Sequence, residues 1–325
     1  MKIKYILAPI FIALLIIALL QIDRESLINS AKQFPIWLIL TLIALQITTQ
    51  LLINLQWYKV AKLSGIKISF CNMLLVNCKG AVVDSITPGV KLGGEVTRAM
   101  QINKTADISF TKSAAVVALQ KLFSLSTLFI ILLFAIGYLA MQAQFLQAIQ
   151  LQILTFGLLI FLLAIFLGVF IAPNKIKLYI ENQKAPKRKY MQKFRKFLIA
   201  LTEQIENIRK NKPSMLKLSL LSLFIWLLYP VKLYLITTQF YPNVNIILIA
   251  SIAFAAYMVA MLPIFPGGIG GFEGTMSALL ITANFTLSDA ATITVIFRFV
   301  TFWFVLLFSL GFIALTFIKR RFARA

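Results

Sequence analysis

The sequence predicts an all-α integral membrane protein, with about six transmembrane helices and two Gly/Pro-broken, re-entrant hairpins arranged as two inverted repeats. Three observations predict it. The chain is 60% hydrophobic and only 13% charged, with a mean hydropathy of +0.91, too apolar for a soluble domain of 325 residues. Apolar segments of membrane length recur along it. A Pro-Gly-rich block also occurs twice: Pro88-Gly89-Val90-Lys91-Leu92-Gly93-Gly94-Glu95 returns as Pro266-Gly267-Gly268-Ile269-Gly270-Gly271-Phe272-Glu273. Gly/Pro interruptions at corresponding places in two halves of a membrane protein point to a transport site.

The apolar segments fall at 5–20, 36–58, 113–139, 150–172, 214–238 and 289–318. Each holds roughly the twenty residues that cross hydrocarbon, the first being short. That first segment follows Lys2 and Lys4 like a signal peptide, but Gln-Ile-Asp-Arg-Glu replaces a cleavage site, so it reads as a retained helix. Regions 68–105 and 246–285 are hydrophobic and fold back at the Pro-Gly blocks. Polar arms (Asn72, Asn77, Lys79, Asp84, Arg98) favour re-entry for the first hairpin. The second is apolar enough to span or to re-enter. The repeats are then 1–140 and 141–325.

Charge orients the chain. Segment 173–213 carries twelve Lys or Arg against three Glu, which makes it a cytoplasmic basic loop with an amphipathic helix near 190–210. Lys59, Lys62 and Lys67 mark a second cytoplasmic segment, and Lys319, Arg320, Arg321 and Arg324 a third. Uncharged links at 140–150 and 239–245 belong outside. Both termini are then cytoplasmic, in a multi-pass protein of the cytoplasmic membrane. The basic loop is either a solvated positive-inside segment or a surface that gathers anionic headgroups.

Several function classes drop out. The net charge of +22 sits in clusters between apolar runs, not in a patch with interleaved aromatics, so nucleic acid is not a partner. With no histidine, the usual general base and commonest metal ligand are missing. Cys71 and Cys78, seven residues apart on one helix, stand roughly 10 Å apart, too far for a disulfide. No phosphate-binding loop is present. The expectation is a protein without cofactor or metal that is not an enzyme.

Candidate site residues cluster at the two blocks. Pro88, Gly89, Gly93 and Gly94 shape one hairpin; Pro266, Gly267, Gly268, Gly270 and Gly271 shape the other. Glu95 and Glu273 fall near a helix start, where they either cap it or serve a site. Lys121 follows Glu95 by 26 residues and Arg298 follows Glu273 by 25, each roughly 12–14 Å into its helix. A cation so deep must be paired or hydrated. It either braces its repeat against the glutamate or receives a phosphate headgroup in a polar cavity. Arg98 adds a cation at the first block. Lys79 and Lys91 are expected to snorkel to the cytoplasmic interface, and Lys232, after Tyr229-Pro230, to reach the outer one.

These motifs resemble the lysylphosphatidylglycerol synthase transmembrane, or flippase-like, family. The likeness lies in Thr87-Pro88-Gly89…Gly93-Gly94-Glu95…Arg98, in Leu262-Pro263…Pro266-Gly267-Gly268-Ile269-Gly270…Glu273 and in Phe297-Arg298-Phe299-Val300-Thr301-Phe302-Trp303. Where that family often shows a Glu-Arg pair, this chain has Gln120-Lys121. The resemblance implies a transporter that moves an anionic, aminoacylated or isoprenoid-linked lipid between leaflets. Glu95, Arg98, Lys121, Glu273 and Arg298 would line its path. The sequence stops after its last apolar segment, so the fused aminoacyl-transferase domain of some members is not expected. The alternatives are a non-transporting partner of lipid or glycan synthesis enzymes and a membrane-embedded lipid-modifying enzyme.

Overall fold

The computed structural model describes residues 34–87, 92–142, 149–184, 186–262 and 267–322. The expected first crossing at 5–20, Pro88, Gly89, Lys91 and Pro266 lie outside the described residues. Among those described, the chain is all α. Its helices are α1 (Ile36–Leu63), α2 (Phe70–Ile86), α3 (Leu92–Ala106), α4 (Phe110–Met141), α5 (Ile149–Ile171), α6 (Pro173–Asn182) and α7 (Lys189–Lys210). There follow α8 (Lys212–Thr237), α9 (Ile246–Ala260), α10 (Gly271–Thr282), α11 (Leu287–Arg298), a π-helical stretch Phe299–Trp303, and α12 (Phe304–Phe322).

Starts are set by short polar side chains. Ser69 accepts from the Asn72 N–H, Ser109 from Lys112, Asn245 from Ile247 and Thr286 from Asp289. Five stretches among the described residues are long and apolar enough to cross a membrane: Ile36–Leu63, Phe110–Met141, Ile153–Ile171, Lys212–Thr237 and Leu287–Lys319. They coincide with the five expected crossings that fall there. The arms of the two Gly/Pro regions are shorter. At about 1.5 Å per residue, the 17 residues of α2 rise about 25 Å and the 12 of α10 about 18 Å, below the roughly 30 Å of hydrocarbon.

Packing pairs the two halves of the chain. α2 packs on its hairpin partner α3, and α9 on α10. α2 also packs on α12, as α9 packs on α4. α1 meets α2 as α8 meets α9, α3 meets α4 as α10 meets α11, and α1 and α8 pack on each other. Each half therefore inserts its first hairpin arm against the last long helix of the other. The turns touch as well: a Cβ on Gly267 would lie 2.9 Å from the Ser85 carbonyl oxygen.

One apolar core joins α1, α2, α3, α4 and α7 around Trp57, Met73, Leu119 and Ile205. A second joins α1, α8, α9, α10 and α11 around Leu38, Phe272 and Phe297. α5 leaves most of its surface outward, as a lipid-facing helix does.

Segment 173–213 is more ordered than a loop. α6 and α7 pack as a hairpin, and Arg195 closes the end of α6 by donating to the carbonyls of Ile180 and Glu181 at 3.2 and 3.0 Å. The expected amphipathic helix is α7. Its apolar face, with Leu201, Ile205 and Ile208, is buried against α4.

Candidate functional site

The glycines at the blocks are there for backbone shape and close approach. Gly267, Gly268 and Gly270 take φ of +59°, +72° and +85°, which lets the chain turn tightly into α10. In the first hairpin, a Cβ on Gly94 would run into the Asp84 carboxylate, and one on Gly80 would lie 2.6 Å from the Arg98 guanidinium. α2 and α3 can pack with an ion pair between them only because both positions lack a side chain.

Each half holds a glutamate with a cation. In the first, Arg98 Nη1 donates to Asp84 Oδ2 and to Glu95 Oε1, both at 3.0 Å. Lys121 Nζ, from α4, approaches the same Glu95 oxygen at 2.7 Å. The Gly94 N–H donates to Asp84 Oδ1 at 3.1 Å, and the guanidinium lies 5.6 Å from the Trp57 ring centre. In the second, Arg298 Nε donates to Glu273 Oε1 at 2.6 Å and Nη2 to the Gly267 carbonyl at 2.7 Å. Glu273 Oε2 accepts the Gly270 N–H at 2.6 Å, so the carboxylate caps α10 and holds the cation at once. The guanidinium sits between Phe302 at 4.2 Å and Phe272 at 5.0 Å. The π-helical stretch begins directly after Arg298 and carries Phe302, so a wound-out turn presents both to one space.

That space is a cavity of about 260 Å³ between the halves. Arg98, Lys121 and Arg298 all line it, with Trp57, Tyr229 and Tyr257 among its aromatic walls. Glu95 and Glu273 are not on the wall; they stand behind the cations. Three cations (Arg98, Lys121, Arg298) face three carboxylates (Asp84, Glu95, Glu273), so the site carries no net formal charge. The Lys121 side chain is 29% exposed, against 10% for Arg98 and 8% for Arg298, so the lysine is the cation an incoming anion meets first. Both arginines are already held by carboxylates. A phosphate reaching them must share or exchange those partners, a process favoured by the planar donor array of the guanidinium.

The structure thus brings Glu95, Arg98 and Lys121 into one cluster, and Glu273 and Arg298 into another, on one cavity. Gly93, Gly94, Gly267, Gly268, Gly270 and Gly271 lie at the starts of α3 and α10 or in the turn before α10. Sequence reasoning left out Asp84 as a site member, and it assigned none of the cavity amides Gln50, Gln56, Asn77 and Gln120 to a site. Lys232 corrects an expectation. It does not reach an interface but is fully buried, donating to Gln46 and, at 3.1 Å, to Thr49 Oγ1 on α1, with Nζ 4.5 Å from the Tyr229 ring centre. α8 continues as a helix through Pro230 and turns this lysine inward against α1. Lys79 donates to Gln101 Oε1 across the first hairpin at 2.9 Å.

Comparison with known proteins finds membrane proteins of similar length. The chain is 24% identical over 312 residues to a UPF0104 membrane protein of Pyrococcus horikoshii, covering 92% of this chain and 93% of that one. It is 26% identical over 318 residues to one of Methanocaldococcus jannaschii (94% and 92%), and 22% over 288 residues to one of Methanothermobacter thermautotrophicus (84% and 83%). The model of the family described as lysylphosphatidylglycerol synthase TM region matches residues 6–309. The chain is a membrane protein of that family.

Proposed function

We propose that this protein is a flippase-like transporter that moves an anionic, aminoacylated or isoprenoid-linked lipid between the leaflets of the cytoplasmic membrane. The observation that carries the reading is the cavity between the two halves, with Arg98, Lys121 and Arg298 on its wall beside Asp84, and Glu95 and Glu273 behind them. The two halves act as inverted repeats, and their hairpins re-enter the membrane to meet at the cavity. The exchanged packing of α2 on α12 and α9 on α4 supports that symmetry. A headgroup phosphate enters at Lys121, takes donors from the arginines and releases Glu95 or Glu273 in part. The lipid tails stay in the bilayer. A family described by lysylphosphatidylglycerol brings aminoacylated lipid into the substrate set. The chemistry is transport, not covalent change of the lipid, and both termini face the cytoplasm.

The test is lipid translocation in reconstituted vesicles, with labelled anionic and aminoacylated lipids. Glu273→Gln and Arg298→Gln should slow movement at least about tenfold once insertion is confirmed, since each leaves a buried partner uncompensated. Neutralising Lys187, Arg188 and Lys189 together should leave movement intact; the reverse pattern would favour a non-transporting partner of lipid or glycan synthesis enzymes. A chemically altered lipid recovered from the vesicles would favour an enzyme.

A further inference from the structure

No residue of α6, α7 or the link between them lines the cavity, yet this hairpin carries the most sharply divided surface of the chain. It is held at membrane-spanning helices by both ends. One residue separates α5 from α6 and one separates α7 from α8, and Arg209 Nη1 ties α7 to the Ile171 carbonyl at 2.9 Å.

α7 carries one apolar stripe along its whole length. Tyr190, Phe194, Phe197, Leu201, Ile205 and Ile208 recur at steps of three and four, which keeps them on one face. The second half of the stripe is buried against α4. The first half is uncovered: Phe197 is half-buried, and Tyr190 and Phe194 are 62% and 59% exposed. The Phe194 ring stacks on Phe197 at 6.1 Å, so the uncovered part runs on from the covered one. Arg195 fixes the last turn of α6 beside this half of α7, and there Leu178 and Tyr179 are exposed as well.

Charge divides the hairpin at the same place. Residues 184–197 hold seven Lys or Arg and no Asp or Glu, whereas Glu203 and Glu206 lie in the half packed on α4. Aromatic side chains on one face with lysines beside them make up a helix that lies in the headgroup region of a bilayer. An acidic protein segment would answer the cations but not the stripe, which continues a face already packed on a membrane-spanning helix.

We propose that the first half of α7, with the end of α6, is a docking surface for anionic lipid. Tyr190 and Phe194 enter the headgroup region of the bilayer that holds the protein, and Lys187, Lys193 and Lys196 take lipid phosphates. The contact sets where the hairpin lies. It stands apart from the transport reading, because the cavity takes no part in it.

The test uses the full chain in nanodiscs, which leave both membrane faces open to solvent. In a Cys71→Ser/Cys78→Ala background, Phe194→Cys carries a bimane label. Its quenching by doxyl-labelled lipid is measured in discs of phosphatidylcholine and in discs of phosphatidylcholine mixed with phosphatidylglycerol. Gln192→Cys, on the opposite face of α7, is the reference. Quenching of the Phe194→Cys label should be about threefold stronger in the anionic discs and weaken in high salt. Adding Lys187→Gln/Lys193→Gln/Lys196→Gln should return it to the phosphatidylcholine level, and the Gln192→Cys label should stay unquenched in both discs. An unquenched Phe194→Cys label in anionic discs would overturn the proposal; if polyglutamate then shifts its emission, the surface serves an acidic protein instead. Equal quenching in the two kinds of disc, or quenching that survives the lysine substitutions, would remove the role of charge and overturn it too. Equal quenching of the two labels would also overturn it, since α7 would then dock no particular face.

Discussion

Arg298 and Glu273, 25 residues apart, meet at 2.6 Å, and the second oxygen of the same glutamate caps α10. One carboxylate therefore ties a cavity cation to the turn of the second hairpin. Removing one member of a buried pair typically costs about 3–5 kcal/mol, and the 23% exposure of the Glu273 side chain puts this pair near the lower end. Glu273→Gln and Arg298→Gln should each lower the thermal stability of the detergent-solubilised protein. The double variant should lose clearly less than the sum, which a double-mutant cycle on melting would read. Additive losses would mean the contact is not energetically coupled.

The glycines divide by what lies next to them. Gly94→Ala would push the Asp84 carboxylate off Arg98 and the Gly94 N–H, and Gly267→Ala is refused both by φ of +59° and by the Ser85 carbonyl. Gly274, in α10, has open space where a Cβ would go. Melting should fall in the first two variants by about 1–3 kcal/mol and hold steady in Gly274→Ala. Equal effects at all three positions would contradict the close-approach account.

Lys232 is a buried cation with no carboxylate within ion-pair distance among the described residues; its partners are Gln46, Thr49 and the Tyr229 ring. Lys232→Met keeps the bulk and removes the charge, so the protein should fold and melt within about 1.5 kcal/mol of wild type. Lys232→Ala should lose more, about 2–5 kcal/mol, because the space between α1 and α8 empties. If Lys232→Met proves the worse of the two, the ammonium itself holds the helices together.

On the α6–α7 hairpin, packing should outweigh charge. Ile205 is fully buried in α7, and Ile205→Ala should cost about 2–5 kcal/mol by melting. Glu203 holds Lys177 above the usual lysine value of 10.5 through a 3.0 Å hydrogen bond. A raised folded pKa contributes stability fully present below the unfolded value and lost as pH rises through the folded one. Resistance of the α6–α7 hairpin to proteolysis should therefore keep this pair's full contribution at neutral pH and weaken only above about pH 10.5, a loss absent from Lys177→Met.

How much of this was legible in the sequence depended on distance along the chain. The five described crossings and α7 follow from local apolar runs and periodicity. The Glu95–Lys121 and Glu273–Arg298 pairs were legible because the blocks repeat and each cation follows at a matching interval. α6 was hidden in the charge run, although Pro173 at its first turn marks a helix start. The fate of Lys232 was not legible, since its partners lie 183 and 186 residues away on α1. The polar contacts of α1 did leave a trace: Gln46, Thr49, Gln50, Asn54 and Gln56 recur along one otherwise apolar helix. That spacing marks a buried polar face. The π-helical stretch after Arg298 has no counterpart in composition.

The most direct measurement asks whether the cavity is the route. Ser124 lines it, and its carbonyl, not its hydroxyl, accepts from Trp226. In a Cys71→Ser/Cys78→Ala background, Ser124→Cys is labelled with a bulky methanethiosulfonate, and lipid movement in vesicles is followed before labelling, after labelling and after reduction. The account predicts movement that stops on labelling and returns on reduction. Movement unchanged by a fully labelled cavity would contradict it.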